Sequence, residues 1–243
     1  MASIRGAAAW VDRVGLAALF PTDDLVLPSL WEAVTGKPVV DRDFAPDVAL
    51  IWGWKDELPG RKLVCAGKHL GGRASFVSLE LLPVLYALTG RDGRPEDFRD
   101  EELSPVERDI AEALLVSGPT SSAELPSLAG HERKRVSSAA VRLQRLLVVT
   151  AAGRQEHEQG WPSIVFDILP RRYGDRLETL PDPDDARSTL AETILRSAGE
   201  VSAADVAAII GGTRKQAAAA LERLAAEGRA RGRDAGEYLL WTL

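Results

Sequence analysis

One cysteine, one methionine and three histidines are all that this 243-residue chain offers in the way of sulfur and imidazole ligands. The single Cys65 excludes an intramolecular disulfide, and His69, His131 and His157 have no spacing that suits a zinc site. No metal and no cofactor are therefore expected, and Cys65 in Leu63-Val64-Cys65-Ala66 reads as a buried strand thiol. Long apolar runs are missing as well, none approaching the ~18 residues that cross a bilayer. The opening Met1-Ala2-Ser3-Ile4-Arg5 reaches Asp12-Arg13 without an apolar signal-peptide core. The expectation is a cytoplasmic protein that makes no membrane contact. An excess of positive charge is the third absence: 30 basic residues face 36 acidic ones, for a net charge of −6, which argues against a uniformly basic surface.

What is present begins with a chain that is 45% hydrophobic and can bury a substantial core. Its acid is concentrated early, with 12 basic against 16 acidic residues over 1–103, then 7 against 8 over 104–170 and 8 against 9 over 184–243. The stretch with the clearest local logic is Val201 to Gly228. Ser202 can cap a short helix, Gly211-Gly212 can take the left-handed backbone that ends it, and Thr213 can cap a second helix with a basic start at Arg214-Lys215. This stretch recurs. An offset of 81 residues lays Ser121, Glu124, Leu125, Gly130, Arg133, Lys134, Arg142 and Leu143 on Ser202, Asp205, Val206, Gly211, Arg214, Lys215, Arg223 and Leu224. Two copies of one supersecondary unit follow from that match.

In chain order, apolar spacing predicts a helix from Ile4 to Phe20 and a shorter one over Leu27–Gly36. Leu27-Pro28-Ser29-Leu30 faintly echoes Leu125-Pro126-Ser127-Leu128, so a degenerate third copy is one reading of the N-terminal region. Asp47–Asp56 reads as a helix, Arg61–Ala66 as a strand, Gly67–Arg73 as a basic loop, and Phe76–Leu88 as a helix starting near Ser78. Lys68 and Arg73 lack the spacing of a phosphate-binding P-loop. Arg91–Glu102 reads as a charged connector. Ser104-Pro105-Val106-Glu107 is a sharp helix start, and helices over Pro105–Val116, Ser122–Leu128 and Glu132–Leu146 then lead into strands at Val148–Thr150 and Ser163–Leu169. Three helices followed by a hairpin describe a winged helix. The prolines and charges of Pro170–Pro183 suggest a linker, and Gly228–Arg233 turns through Asp234–Gly236 into a return strand over Glu237–Trp241.

The expected class is mainly α with small β-hairpins, an α+β protein of tandem winged helix-turn-helix units. The boundaries are an N-terminal mixed region over 1–103, a first winged helix over 104–170, a linker over 171–183 and a second winged helix over 184–243. In such a unit the third helix meets the DNA major groove and the hairpin follows the backbone. Candidate DNA-binding residues are therefore Arg133, Lys134, Arg135, Ser138, Arg142 and Arg145 in the first copy. The second copy offers Arg214, Lys215, Gln216, Arg223, Arg229, Arg231 and Arg233, although Ala217–Ala220 leaves that helix little with which to read bases. Arg135 and Arg142, seven residues apart, should share a face, and replacing both should weaken binding and flatten its salt dependence. A separate candidate pocket is Trp52, Trp54, Lys55, Asp56 and Glu57, although the favoured reading of this stretch is a helix whose indoles cover the core, with its charged residues solvated at the end.

With these residues in view, the chain resembles the winged-helix DNA-binding family related to the AlkZ or YcaQ type of bacterial DNA glycosylase. The resemblance rests on the two repeats, on Leu27-Pro28-Ser29-Leu30-Trp31-Glu32-Ala33-Val34 and on Trp54-Lys55-Asp56-Glu57-Leu58-Pro59. It implies a concave double-stranded DNA-binding surface made of tandem winged helices. Those glycosylases carry a Gln-x-Gln or Gln-x-Asp motif, and this chain has no such triplet; Gln155-Glu156-His157-Glu158-Gln159 is wrongly spaced. The resemblance thus carries architecture and no catalytic residues. The reading is a DNA-binding regulator or accessory protein. A divergent glycosylase using Asp56 or Glu57, and a winged-helix protein-interaction scaffold, are the alternatives; the oligomeric state is left open.

Overall fold

The computed structural model describes residues 3–38, 46–158, 160–236 and 238–243. Gln159 and Glu237, which fall in the polar run and the return strand expected above, lie outside them. The chain is α+β, with helices surrounding small antiparallel three-stranded sheets.

The first third runs α1 (Ile4–Val14), β1 (Leu16–Ala18), α2 (Leu30–Thr35), α3 (Pro46–Gly60), β2 (Cys65–Leu70) and β3 (Arg73–Val77). Its sheet has the order β1-β3-β2. Ile4–Phe20 is therefore not one helix. Gly15, at φ +79°, ends α1, and Leu16-Ala17-Ala18 pairs with Ser75–Val77 instead. Gly67–Arg73 is not a loop either: Cys65–Leu70 is a strand, and only Gly71-Gly72, both at positive φ, makes the turn into β3. Phe76 and Val77 consequently belong to β3, and the next helix, α4, is confined to Leu82–Ala87.

The middle unit comprises α5 (Pro105–Ser117), β4 (Thr120–Ser121), α6 (Leu125–Ala129), α7 (Arg133–Arg145), β5 (Val149–Gln155) and β6 (Ser163–Ile168), with sheet order β4-β6-β5. Ser104 and Glu107 make a reciprocal capping box at the start of α5. After α8 (Leu169–Leu177), the last unit repeats the order with α9 (Pro183–Ala198), β7 (Val201–Ser202), α10 (Ala203–Ile210), α11 (Arg214–Ala226), β8 (Arg231–Asp234) and β9 (Leu239–Thr242), in sheet order β7-β9-β8. Capping boxes at Ser202/Asp205 and Thr213/Gln216 start α10 and α11, and Gly211 and Gly212 both take positive φ between them.

One element order, helix-strand-helix-helix-strand-strand, thus occurs three times, each time with the last strand in the middle of the sheet. The Leu-Pro-Ser-Leu echo falls at the second helix in both instances, but out of register. Ser29 caps α2 from outside the helix, whereas Ser127 lies within α6.

Two connecting segments differ from their sequence reading. Arg91–Glu102 is no solvated connector: Phe98 is buried, and the Arg91 guanidinium lies buried over the Tyr86 ring, 3.1 Å from Asp97 and bonded to the Leu146 carbonyl. The 171–183 segment, expected as a linker, begins with most of α8. Leu169, Tyr173 and Leu177 recur every four residues and are all buried, which gives α8 an apolar stripe to dock. The Tyr173 hydroxyl donates to the Val64 carbonyl at 2.9 Å, and Arg171 donates to the Leu114 and Leu115 carbonyls.

Candidate nucleic-acid interface

Helix α7 buries Val136, Ala139, Ala140 and Leu143 in the core of its own unit and Gln144 against β2 of the first, while Arg133, Lys134, Arg135, Ser137, Ser138, Arg142 and Arg145 are exposed. Arg133, Lys134 and Arg135 fill its exposed first turn, where free backbone N–H groups and the helix dipole already favour an anion. Among the described residues these three, with Arg145, have no ion-pair partner. The Arg145 stem lies against the Gly72 turn of the first unit.

Arg142 differs from its neighbours. Its guanidinium lies 3.2 Å from Glu107, the nearly buried carboxylate that also caps α5. It therefore does not stand free beside Arg135 on one cationic face, because an uncompensated carboxylate attracts it first. Ser138 turns its hydroxyl back to the Lys134 carbonyl at 3.2 Å.

The last unit is more thoroughly neutralised. Arg223 pairs with Asp185 at 2.6 Å and with Glu227, Arg229 pairs with Glu192 and Glu227, and Arg233 pairs with Glu200 at 2.8 Å. These partners raise the pKa values of the three arginines, chiefly through the side-chain hydrogen bonds. Gln216 spends its side-chain oxygen on the Thr213 N–H and hydroxyl, as a cap. Arg214, Lys215 and Arg231 are exposed and have no ion partner among the described residues.

The tryptophan cluster is divided by helix periodicity rather than gathered. Trp54 is buried at 5% exposure in the core of the first unit, whereas Trp52 remains 46% exposed, two positions and so about half a turn away. Lys55 stands 5.4 Å over the Trp52 ring and pairs with Asp56; Glu57 pairs with Arg61. Trp52 and Lys55 line a cavity of about 370 Å³ between the first and middle units, while Asp56 and Glu57 line a separate hollow beside Gly153 and Arg154. The five residues do not converge on one point.

A buried polar cluster that no local pattern announces joins the same two units. The His69 Nδ1 lies 2.7 Å from the Gln144 carbonyl, so that nitrogen carries the proton. Its Nε2 is 3.5 Å from Cys65 Sγ and 3.4 Å from the Thr150 hydroxyl. Burial pushes the Cys65 thiol up to about 12 and lowers the His69 pKa, so the thiol stays protonated and the imidazole neutral near pH 7. The pair is poorly suited to nucleophilic work. Among the described residues no group of three His, Cys, Asp or Glu could hold a metal ion, and no helix is long and apolar enough to cross a membrane.

These features define a class: α+β proteins in which one helix-strand-helix-helix-strand-strand order occurs three times, here with a cationic first turn of α7 that has no ion-pair partner among the described residues. Within that class the chain belongs to the AlkZ-related family, whose model matches residues 1–211. Among solved structures, the Streptomyces sahachiroi DNA glycosylase AlkZ is similar, with a TM-score of 0.55 and 15% identity over 98% of this chain. The chain spans 64% of that protein's length, and at this identity the likeness is one of fold. The DIP2311 protein from Corynebacterium diphtheriae matches at 17% identity over 81% of this chain and 38% of its own, with a TM-score of 0.25. No curated protein sequence matches.

Proposed function

We propose that this chain is a double-stranded DNA-binding protein of tandem winged helices, a regulator or accessory factor in DNA handling that works in the cytoplasm. Each of the three units, the N-terminal one included, is read as a winged helix, with α3, α7 and α11 as third helices and the β2–β3, β5–β6 and β8–β9 hairpins as wings. The observation that carries the reading is the first turn of α7, where Arg133, Lys134 and Arg135 stand exposed and unpaired beside the helix N-terminus. The fold likeness to a DNA glycosylase supports it. The exposure of that turn also speaks against a scaffold whose basic helices are buried against each other. The division of Trp52 from Asp56 and Glu57 removes the support for a glycosylase site in that cluster.

Affinity should come mainly from the middle unit, because most arginines of the last unit are already partnered. Replacing Arg133, Lys134 and Arg135 together by alanine should weaken binding to a labelled duplex. It should also reduce the slope of log K against log salt by about 2.7, at roughly 0.9 per lost phosphate contact. Titrations of both proteins at several salt concentrations read this out. Equal slopes would remove α7 from the interface, and absence of wild-type binding even at low salt would overturn the DNA reading. A base-release assay on alkylated duplex, run in parallel, separates binding from glycosylase activity.

A further inference from the structure

The cavity between the first and middle units has the features of a ligand site rather than a packing defect. At about 370 Å³ it falls within the usual range for small-molecule sites, and its walls are mainly apolar, from Leu19, Phe76, Val136 and Phe166 among others. A half-exposed indole, Trp52, forms part of the wall, with Phe20 packed 5.7 Å from it and the Lys55 ammonium 5.4 Å over its ring. Among the described residues only two ionisable ones line the space, and both are lysines. Lys55 is paired with Asp56, but Lys68 has no ion partner among the described residues.

The position of Lys68 is set by an irregularity in the sheet. Between Gly67↔Ser75 and Leu70↔Arg73 the register of β2 and β3 shifts, so Lys68 and His69 sit in a bulge. The freed Lys68 N–H is taken up by the Gln144 side-chain oxygen at 3.0 Å, which fixes the backbone from across the cavity. Gln144 is itself buried and anchored to the Ala140 carbonyl. Strand β2 thus holds a lysine without an ion partner among the described residues at a mainly apolar space with an aromatic wall and no acid in its described lining. Such a combination recognises a flat hydrophobic ring system bearing a single negative charge.

We propose that this cavity binds a planar aromatic carboxylate, with the ring against Trp52 and the carboxylate on Lys68. The walls supplied by Val136, Ser137, Ala140 and Val141 belong to α7, so the occupant would touch that helix directly. The site stands on its own geometry and does not depend on the DNA reading.

Naphthalene-2-carboxylate and its neutral twin naphthalene-2-carboxamide, titrated into the full chain without DNA and followed by calorimetry, test it. The wild type should bind one equivalent of the acid, with about tenfold preference over the amide, as expected for one charge-assisted contact. Lys68→Met should abolish that preference while leaving amide binding unchanged. Trp52→Ala should weaken both ligands about tenfold. Both residues are at least partly exposed, and melting curves matching the wild type would show that the variants fold. If wild type binds neither probe saturably, the site is overturned. The same holds if acid and amide bind alike, or if affinity survives Trp52→Ala unchanged. Because no nucleic acid is present, these outcomes are independent of whether the chain binds duplex.

Discussion

His69 spends one ring proton on a bond between the first and middle units. Its Nδ1–H donates to the Gln144 carbonyl of α7, and its other nitrogen faces Cys65 and Thr150 in the buried interior. Burial lowers its pKa below the ordinary histidine value. Between the folded value and about 6.5 the unfolded chain therefore binds more protons than the folded one, so stability is full above about pH 6.5 and falls as pH drops toward the folded value. Thermal melts from pH 7.5 to 5 should show this loss, and His69→Gln, less stable at pH 7.5, should lose less on acidification. Parallel pH profiles for the two proteins would contradict the assignment. The sequence marked His69 only as one of three scattered histidines, because its partners lie 75 and 81 residues further along the chain. Arg142 teaches the same lesson from the opposite direction. Its basic character and helical position were legible, but the carboxylate that takes it up, Glu107, is a helix cap whose second role appears only on folding.

At the level of elements, the helix starts were the most legible part of the chain. Ser104, Ser202 and Thr213 cap the helices expected of them because a cap and its partner are three residues apart, a distance that a sequence displays directly. Strands were less legible. Cys65–Leu70 contains Gly67, Lys68 and His69, which signal a turn by composition, but pairing with β3 and the bond from Gln144 override that tendency. Helix α8 was concealed by Pro170, Arg171, Arg172 and Gly174, whose linker-like composition hides an apolar residue at every fourth position. If α8 is a structural brace, Leu177→Ala should destabilise the protein by about 2–5 kcal/mol, the usual cost of emptying a buried leucine site. Urea unfolding would register it as a lower midpoint with an unchanged slope. A change of a few tenths of a kcal/mol would instead return the segment to the status of a tether.

At the scale of the whole molecule, the three units share their cores. Leu16, Cys65, Leu70 and Val77 of the first unit lie in one buried cluster with Tyr173 and Leu177 of α8 and with Leu190, Ile209 and Leu221 of the last, while Ala151 of the middle unit lies in the core of the first. Where α3 ends on β5, Gly60 and Gly153 bring two backbones together; a Cβ on Gly153 would meet the Gly60 Cα at 3.4 Å and would require φ near +128°. Gly153→Ala should therefore cost about 1–3 kcal/mol, the usual strain of such backbone positions. It should shift a single cooperative transition, seen alike by circular dichroism and tryptophan fluorescence, rather than detach one unit. Separate transitions by the two probes would show that the units unfold independently. By itself, the sequence determined the recurrence at 81 residues, the capped helix starts and the basic first turn of α7, because each is written in contacts between near neighbours or in a match between two stretches. Tertiary structure alone decided that the N-terminal region repeats the same element order, that Trp52 and Trp54 part company, that the last unit's arginines are mostly consumed by carboxylates, and that a cavity opens beside Lys68. Those outcomes depend on side chains far apart in the chain competing for the same partners, and it is packing, not local preference, that settles the competition.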